Sequence, residues 1–539
     1  MVDGSSRATL RRWAVLLLAL AILDASLTFH NLWPTPVVTW RGELSVELAV
    51  CLLVMAIIAR LSAPPSRTAM AWLSAAWVVF VIGRYAEVTA PALYGREVNL
   101  YWDSRHVSAV VQMLFRVASV WVIAAVVAGV VLVPVVIFAI VRWALLRVRD
   151  ALWQTGARSA MGVAAAFAVG LFVLQQGGRL PAGEWFAQPV AHTYWRQARL
   201  FAGELTGRNA RRLGPGPSFD ADLGRVHGAD VLLFFLESYG AVSFDRPEFA
   251  GPLAPFRIRL EEDVRAAGSE VASAYVESPT FGGNSWLAHV SLLSGVEVRD
   301  EDTNVQLMAQ KRDNLVTSFG RRGYRTVAIM PGLHESWPEG QFYGFSEIYD
   351  ETRLNYQGPP FGWWTVPDQF TIARLDALEL ARTPRAPTFV FFPSVGTHTP
   401  FGPTPPYQPD WRRVLTDDPY DKADLKPIWM ESPDWLDLGP SYVRALSYAY
   451  TSLGGYLRLR ADRDFVLVVI GDHQPPAAVS GEGARWDVPV HIITRRKPVI
   501  DALLSHGFRR GLAPAGPALM KMHALTPALL AAFSASPAN

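Results

Sequence analysis

The chain has 539 residues, of which half are hydrophobic and only 18% charged, with a mean hydropathy of +0.17. A soluble protein carries about 25% charge, so the deficit excludes disorder, a coiled coil and an ordinary cytosolic enzyme, and it puts part of the chain in lipid. Lys and Arg number 50 against 48 Asp and Glu, a balance of +2 that gives no electrostatic case for nucleic acid, and one cysteine, Cys51, excludes a disulfide scaffold or a multi-cysteine metal site.

Five runs with little or no charge precede residue 178, at 13–33, 44–59, 68–83, 117–141 and 159–176. The fourth, 25 residues without a charge, is long enough to span a bilayer alone. The second, third and fifth are shorter, but five in close succession predict a transmembrane bundle of five helices over residues 1–177. Arginines set the orientation. Arg7, Arg11 and Arg12, then Arg60 and Arg67, then Arg142, Arg147, Arg149 and Arg158 fall on one side of such a bundle. The opposite loops hold Arg41, then Arg84, Arg96, Arg105 and Arg116, the last four interleaved with Glu87, Glu97 and Asp103. The N-terminus is therefore expected in the cytoplasm and everything after residue 178 outside. Asp24, Glu47, Arg84 and Glu87 lie near membrane depth, where ionisable groups are costly and either functional or paired for packing.

Residues 178–228 mix Trp185, Phe186, Tyr194, Trp195 and Phe201 with Arg196, Arg199, Arg208, Arg211 and Arg212. That texture predicts an interfacial linker with a helix lying on the membrane surface, ended by Gly214-Pro215-Gly216-Pro217. From residue 229 to 539 the pattern is that of a soluble α/β domain. Short apolar runs at 230–236, 325–330, 387–392, 464–470 and 488–493 show no alternation, as expected of strands buried on both faces of a mainly parallel sheet. Helical periodicity lies between them, at 368–382 and 442–458. Such sheets carry their sites beyond the carboxyl ends of the strands.

The residues at those ends are chemically distinctive. Glu237 follows the first strand, Asp472 and His473 follow the strand at 464–470, and His398 lies just beyond 387–392. Gly282-Gly283-Asn284-Ser285 leads into a helical pattern, which puts Ser285 at a helix N-terminus, where the dipole stabilises an alkoxide and a bound phosphoryl group. Two carboxylates and an imidazole without thiolates suit one divalent metal ion, Mn, Zn or Mg. A metal there would activate a serine hydroxyl and screen phosphate charge.

In these motifs and their order the chain resembles the alkaline phosphatase superfamily, and within it the membrane-bound phosphoglycerol and phosphoethanolamine transferases such as lipoteichoic acid synthase. The stretch 231–237 is similar to the family's first strand with its acidic ligand. Ser285 stands ten positions before Gly295, and Leu292-Leu293-Ser294-Gly295 is similar to a sulfatase motif with its nucleophile at that offset. Gly471-Asp472-His473 resembles the late metal-binding pair, and His398 with Pro400 the substrate-contacting element. The resemblance implies Glu237, Ser285, Asp472 and His473 as metal ligands, Ser285 as nucleophile and His398 as a phosphate contact or proton carrier. Asn284, His334, Glu335 and Trp337 are the expected substrate contacts. It implies a bacterial inner-membrane enzyme that takes a phospho-headgroup from a phospholipid donor to an envelope glycan or lipid acceptor through a phosphoserine.

Two departures qualify this. The transferases usually carry threonine where Ser285 stands. The sequence after Ser285 is Trp286-Leu287-Ala288-His289, which lacks the signal for formylglycine maturation and argues against a sulfatase activity. The absence of cysteine from residues 229–539 favours phosphoglycerol over phosphoethanolamine. A hydrolase of the same fold and a catalytically silent lipid sensor are the alternatives.

Overall fold

The computed structural model describes the chain except residues 1–3, 95–96, 105–106, 179–184, 207–212, 215, 335–336, 338, 363, 431–432 and 536–539. It divides into two compact units, residues 1–93 with 97–208, and residues 94–96 with 209–539.

The first unit is helical: α1 (Gly4–Thr28), α2 (Val46–Leu61), α3 (Arg67–Tyr94), α4 (Leu100–Asp103), α5 (Val107–Val117), α6 (Val120–Leu152), α7 (Thr155–Gln176) and α8 (Val190–Thr206), with an antiparallel hairpin of β1 (Phe29–Asn31) and β2 (Val38–Trp40) after α1. Each of the five apolar runs forms a helix. Among the described residues α3, α6 and α7 are long and apolar enough to cross a membrane. At 16 residues α2 is short for a span, and arginines occupy the start of α1. The run at 117–141 begins its helix one residue after Ser119, whose hydroxyl caps α6 by accepting from Val122 N, and the helix continues to Leu152. Val126, Val127, Val130, Val131, Leu132 and Val133 of α6 are all exposed. A face this apolar is untenable in water and ordinary in lipid; the chain is a membrane protein.

The charges near membrane depth are tied into the backbone. Arg84, 2% exposed, donates to Phe29 O at 2.8 Å and to Gln188 O at 3.4 Å and lies 3.6 Å from Glu87. Glu87 accepts from the Thr193 hydroxyl at 2.6 Å, Asp24 from Ser45 N at 2.9 Å, and Glu47 from the Ser45 hydroxyl at 3.1 Å. These contacts fix the hairpin and α8 against the helices, which is the packing reading of those residues.

The second unit is built on a nine-stranded sheet. Its strands are β3 (Asp230–Leu236), β4 (Glu270–Glu277), β5 (Arg325–Ile329), β6 (Glu347–Tyr349), β7 (Thr388–Pro393), β8 (Phe465–Gly471), β9 (Asp487–Thr494), β10 (Arg509–Arg510) and β11 (Met520–Lys521). The order is β10-β4-β9-β8-β3-β7-β5-β6, with β11 beside β4. The block β8-β3-β7-β5-β6 is parallel, while β9 is antiparallel to both β8 and β4. Every residue of β3, β8 and β9 is buried, because helices cover both faces. On one side Leu287, Leu292, Phe319 and Leu529 pack on Val231, Leu233 and Phe235. On the other, Leu253, Leu260, Phe370, Leu446 and Leu453 pack on Leu232 and Phe234. The sheet is thus mainly parallel, as expected. Its antiparallel flank is the addition: β9 lies in the expected run at 488–493 with reversed direction, and β4 has no counterpart among the predicted strands.

Candidate active site

Strand register brings the first pair of functional residues together. β3 and β8 are parallel neighbours with Leu236 opposite Gly471. The next residue on each strand, Glu237 and Asp472, therefore emerge side by side. Only glycine fits at 471, since a Cβ there would lie 1.9 Å from the Tyr239 carbonyl oxygen. On the other flank of β3, Phe235 pairs with Pro393 of β7, and the loop that follows β7 grips Glu237. Glu237 N donates to the Ser394 hydroxyl at 3.1 Å, and the Thr397 hydroxyl donates to Glu237 O at 2.5 Å.

Ser285, the expected nucleophile, opens the helix Ser285–Ser294. Gly282 (φ +65°), Gly283 (φ +147°) and Asn284 (φ +57°) turn the chain through positive φ to start that helix, a path that glycine and asparagine tolerate best. Gly282 N donates to Gln474 O at 3.1 Å, and the Ser278 hydroxyl donates to Asp472 O at 2.5 Å. The loop is thus fastened to the segment that carries Asp472 and His473. Asn284 stands at the N-cap without a side-chain capping bond.

At the centre, Ser285 Oγ lies 2.7 Å from Glu237 Oε2 and 3.1 Å from His473 Nε2. His473 Nε2 is 3.3 Å from Glu237 Oε1 and 3.9 Å from Asp472 Oδ1. Glu237, Asp472 and His473 are buried, at 7%, 1% and 1% exposure. His473 Nδ1 faces Gln474 O at 2.7 Å, an acceptor, so Nδ1 carries the hydrogen and a neutral ring turns its Nε2 lone pair to the cluster. Burial opposes charging that ring, but Asp472 and Glu237 outweigh it and hold its pKa up at about 9. Burial and the adjacent Glu237 push Asp472 well up. Glu237 is held down by His473 in spite of its burial.

Ligand atoms of Glu237, Asp472 and His473 all lie within 4.8 Å of one another. With the Ser285 hydroxyl beside them, two carboxylates and an imidazole converge on one buried point, and the upward shifts of His473 and Asp472 show how that crowding of negative charge calls for positive charge there. The donor set of oxygens and one imidazole fits Mn, Zn or Mg.

His398 acts electrostatically on Glu237, and it, His334 and Trp337 have the following partners of their own. His398 Nδ1 donates to Thr399 O at 2.7 Å, and its ring meets Trp364 edge to face at 5.2 Å. Trp364 stacks in turn on His334 at 5.5 Å, and His334 Nδ1 pairs with Glu351. Trp337 stacks on Tyr343 at 5.4 Å. Glu335 lies outside the described residues. Ser394, Thr397 and Ser278, which hold the ligand backbone, carry no sequence signal of their own. Asp368 is similar. It is 4% exposed and accepts from Val395 N and Gly396 N, both at 3.0 Å, which fixes the turn leading to His398. Burial pushes its carboxyl up to about 6.

Residues 287–490 match the sulfatase family model. This similarity over part of the second unit agrees with the resemblance to the alkaline phosphatase superfamily read from the sequence. The matched stretch holds His398, Asp472 and His473 and begins two residues after Ser285. No curated protein matches the chain. Solved structures similar to it include the phosphoethanolamine transferase EptA from Neisseria meningitidis, at 13% identity and TM-score 0.43, over 89% of this chain and 88% of that one. The lipoteichoic acid synthase LtaP from Listeria monocytogenes is similar at 16% identity and TM-score 0.35, over 52% and 68%. The phosphoglycerol transferase GacH from Streptococcus pyogenes is similar at 12% identity and TM-score 0.37, over 57% and 76%. Likenesses this distant carry no functional argument.

Proposed function

We propose that the protein is a metal-dependent phosphotransferase of the bacterial inner membrane. It moves a phospho-headgroup from a phospholipid donor to an envelope glycan or lipid acceptor through a phosphoserine at Ser285. The observation that carries this is the Ser285 hydroxyl, at a helix N-terminus and within hydrogen-bond reach of both Glu237 and His473. The arginine distribution supports a cytoplasmic N-terminus, a multi-pass anchor and a periplasmic catalytic unit.

Glu237, Asp472, His473 and Ser285 would hold the cation, which when bound supplies positive charge that acidifies the serine hydroxyl and screens phosphate oxygens. Ser285 Oγ attacks phosphorus, and the bond to the diacylglycerol oxygen breaks. The hydroxyl proton passes toward Glu237 Oε2, its hydrogen-bond partner. Backbone N–H groups of the first helical turn face the phosphoryl oxygens. His398, its Nδ1–H fixed on Thr399 O, in its imidazolium form donates from Nε2 to the phosphate and passes that proton to the departing diacylglycerol oxygen, and in the second step it takes the proton of the acceptor hydroxyl. In the second step an acceptor hydroxyl attacks the phosphoserine, and Ser285 recovers its proton.

The missing cysteines argue for phosphoglycerol as the group moved. Purified full-length protein in nanodiscs of donor lipid should release diacylglycerol and trap the headgroup on Ser285. A phospho-headgroup recovered only free in water, with an acceptor present, would favour a hydrolase instead.

A further inference from the structure

Ser238, fully buried directly after Glu237, bonds to both carboxylates of the cluster. Its N–H donates to Asp472 Oδ1 at 2.8 Å, and its hydroxyl donates to Glu237 Oε1 at 3.0 Å. The other oxygen of Glu237, Oε2, is left facing Ser285 Oγ at 2.7 Å. Ser238 makes the two bonds at once with its backbone in the left-handed region, at φ +55°. That conformation is unfavourable for a residue with a Cβ, and glycine would adopt it freely. Glycine would also supply the N–H. What it lacks is the hydroxyl, so the turn favours glycine while the cluster uses serine.

Strain of this kind persists where the surroundings over-determine it, and here they do. The Tyr442 hydroxyl donates to Ser238 O at 3.0 Å. The next residue, Tyr239, is anchored by a buried chain of hydrogen bonds that runs one way. The Ser273 hydroxyl gives its only hydrogen to Gly511 O at 2.6 Å, so it accepts from His491 Nδ1 at 2.7 Å. His491 Nε2 then offers a lone pair to the Tyr239 hydroxyl at 3.0 Å, and the Tyr239 oxygen accepts from Tyr450 at 2.9 Å. Burial pushes the His491 ring down to about 3, so it stays neutral and the chain keeps its direction. We propose that Ser238 is a positioning residue for the cation, orienting Glu237 and Asp472 together through its hydroxyl and N–H in spite of backbone strain that glycine would avoid. The inference rests on the reading of Glu237, Asp472 and His473 as a metal site.

The test uses chelator-stripped full-length protein in detergent, titrated calorimetrically with Zn²⁺ and with Mn²⁺, with thermal midpoints read on the metal-free proteins. S238G keeps the N–H and removes both the hydroxyl and the strain. Its metal-free midpoint should equal or exceed that of the wild type, while its cation affinity falls about tenfold. S238A removes the hydroxyl and keeps the strain, and should lose a similar factor in affinity. Wild-type affinity in both variants overturns the inference and leaves the metal reading standing. So does a loss confined to S238G, which would assign the effect to backbone freedom, and so does an S238G protein that is destabilised or fails to fold, since the conformation would then not be strained. A wild type that binds neither ion overturns the metal reading and this inference with it.

Discussion

The Thr397 hydroxyl donates to the carbonyl oxygen of Glu237 at 2.5 Å. With Ser394 accepting from Glu237 N, both backbone polar groups of that acidic residue are held by side chains from the loop that carries His398. Replacing Thr397 by valine keeps the shape and removes the donor. A buried hydrogen bond is worth about 1 kcal/mol, so T397V should lower kcat about five- to tenfold with bound metal retained. Steady-state kinetics beside metal analysis checks this; a loss of metal instead would mean that the bond holds the ligand rather than the turn.

Ser285→Ala removes the attacking oxygen without disturbing the helix, since alanine is well tolerated at its first turn. Diacylglycerol release should fall to background while the thermal midpoint stays within a degree or two. Full turnover by S285A would end the assignment of the nucleophile.

Removing a ligand should show in metal content before it shows in fold. Glu237→Gln keeps the volume and deletes a charge from a cluster of buried acceptors, and metal affinity should drop by more than about 100-fold, beyond the loss typical of an outer partner. Elemental mass spectrometry after dialysis against a chelator measures it.

Asp368 offers a test by pH. Burial favours its neutral form, so the stability this group contributes is fully present below its ordinary pKa of 3.8 and is lost as pH rises through about 6. At about 1.4 kcal/mol for each pH unit separating those two values, the wild type should lose up to about 3 kcal/mol between pH 4 and pH 8 through this group. Asp368→Asn cannot ionise and should lack that slope, while carrying a constant cost for the acceptor it no longer offers to one of Val395 N and Gly396 N. Denaturant unfolding of both proteins across that range is the measurement.

In the membrane unit, Arg84→Met would strand Glu87 and leave the carbonyls of Phe29 and Gln188 without their donor. Breaking a buried pair by deleting one partner costs about 3 to 5 kcal/mol. Thermal unfolding in detergent should show a large drop, with a smaller one for the double replacement that also neutralises Glu87.

The parts of this protein that were legible in its sequence are those where chemistry adjoins a strand end. Glu237 and the Asp472-His473 pair stand immediately after uninterrupted apolar runs, so strand and ligand are read together. The reversal of β9 was not legible, because a strand buried on both faces reads alike in either direction. β4 was missed for a related reason: Glu270-Val271-Ala272-Ser273-Ala274 is a weakly apolar sequence, and its burial comes from β9 beside it. Ser394 and Thr397 act on backbone atoms of distant residues, which no local pattern announces.

The placement of the single thiol has a practical consequence. Cys51 lies half-buried in α2, and the whole second unit is free of sulfhydryls. A Cys51→Ser background would therefore accept one engineered label at a time, anywhere on the catalytic face, with no competing reaction. Ser285→Cys on that background would turn the attacking position into its own reporter, and protection of that thiol by a lipid analogue would chart entry to the site without any turnover.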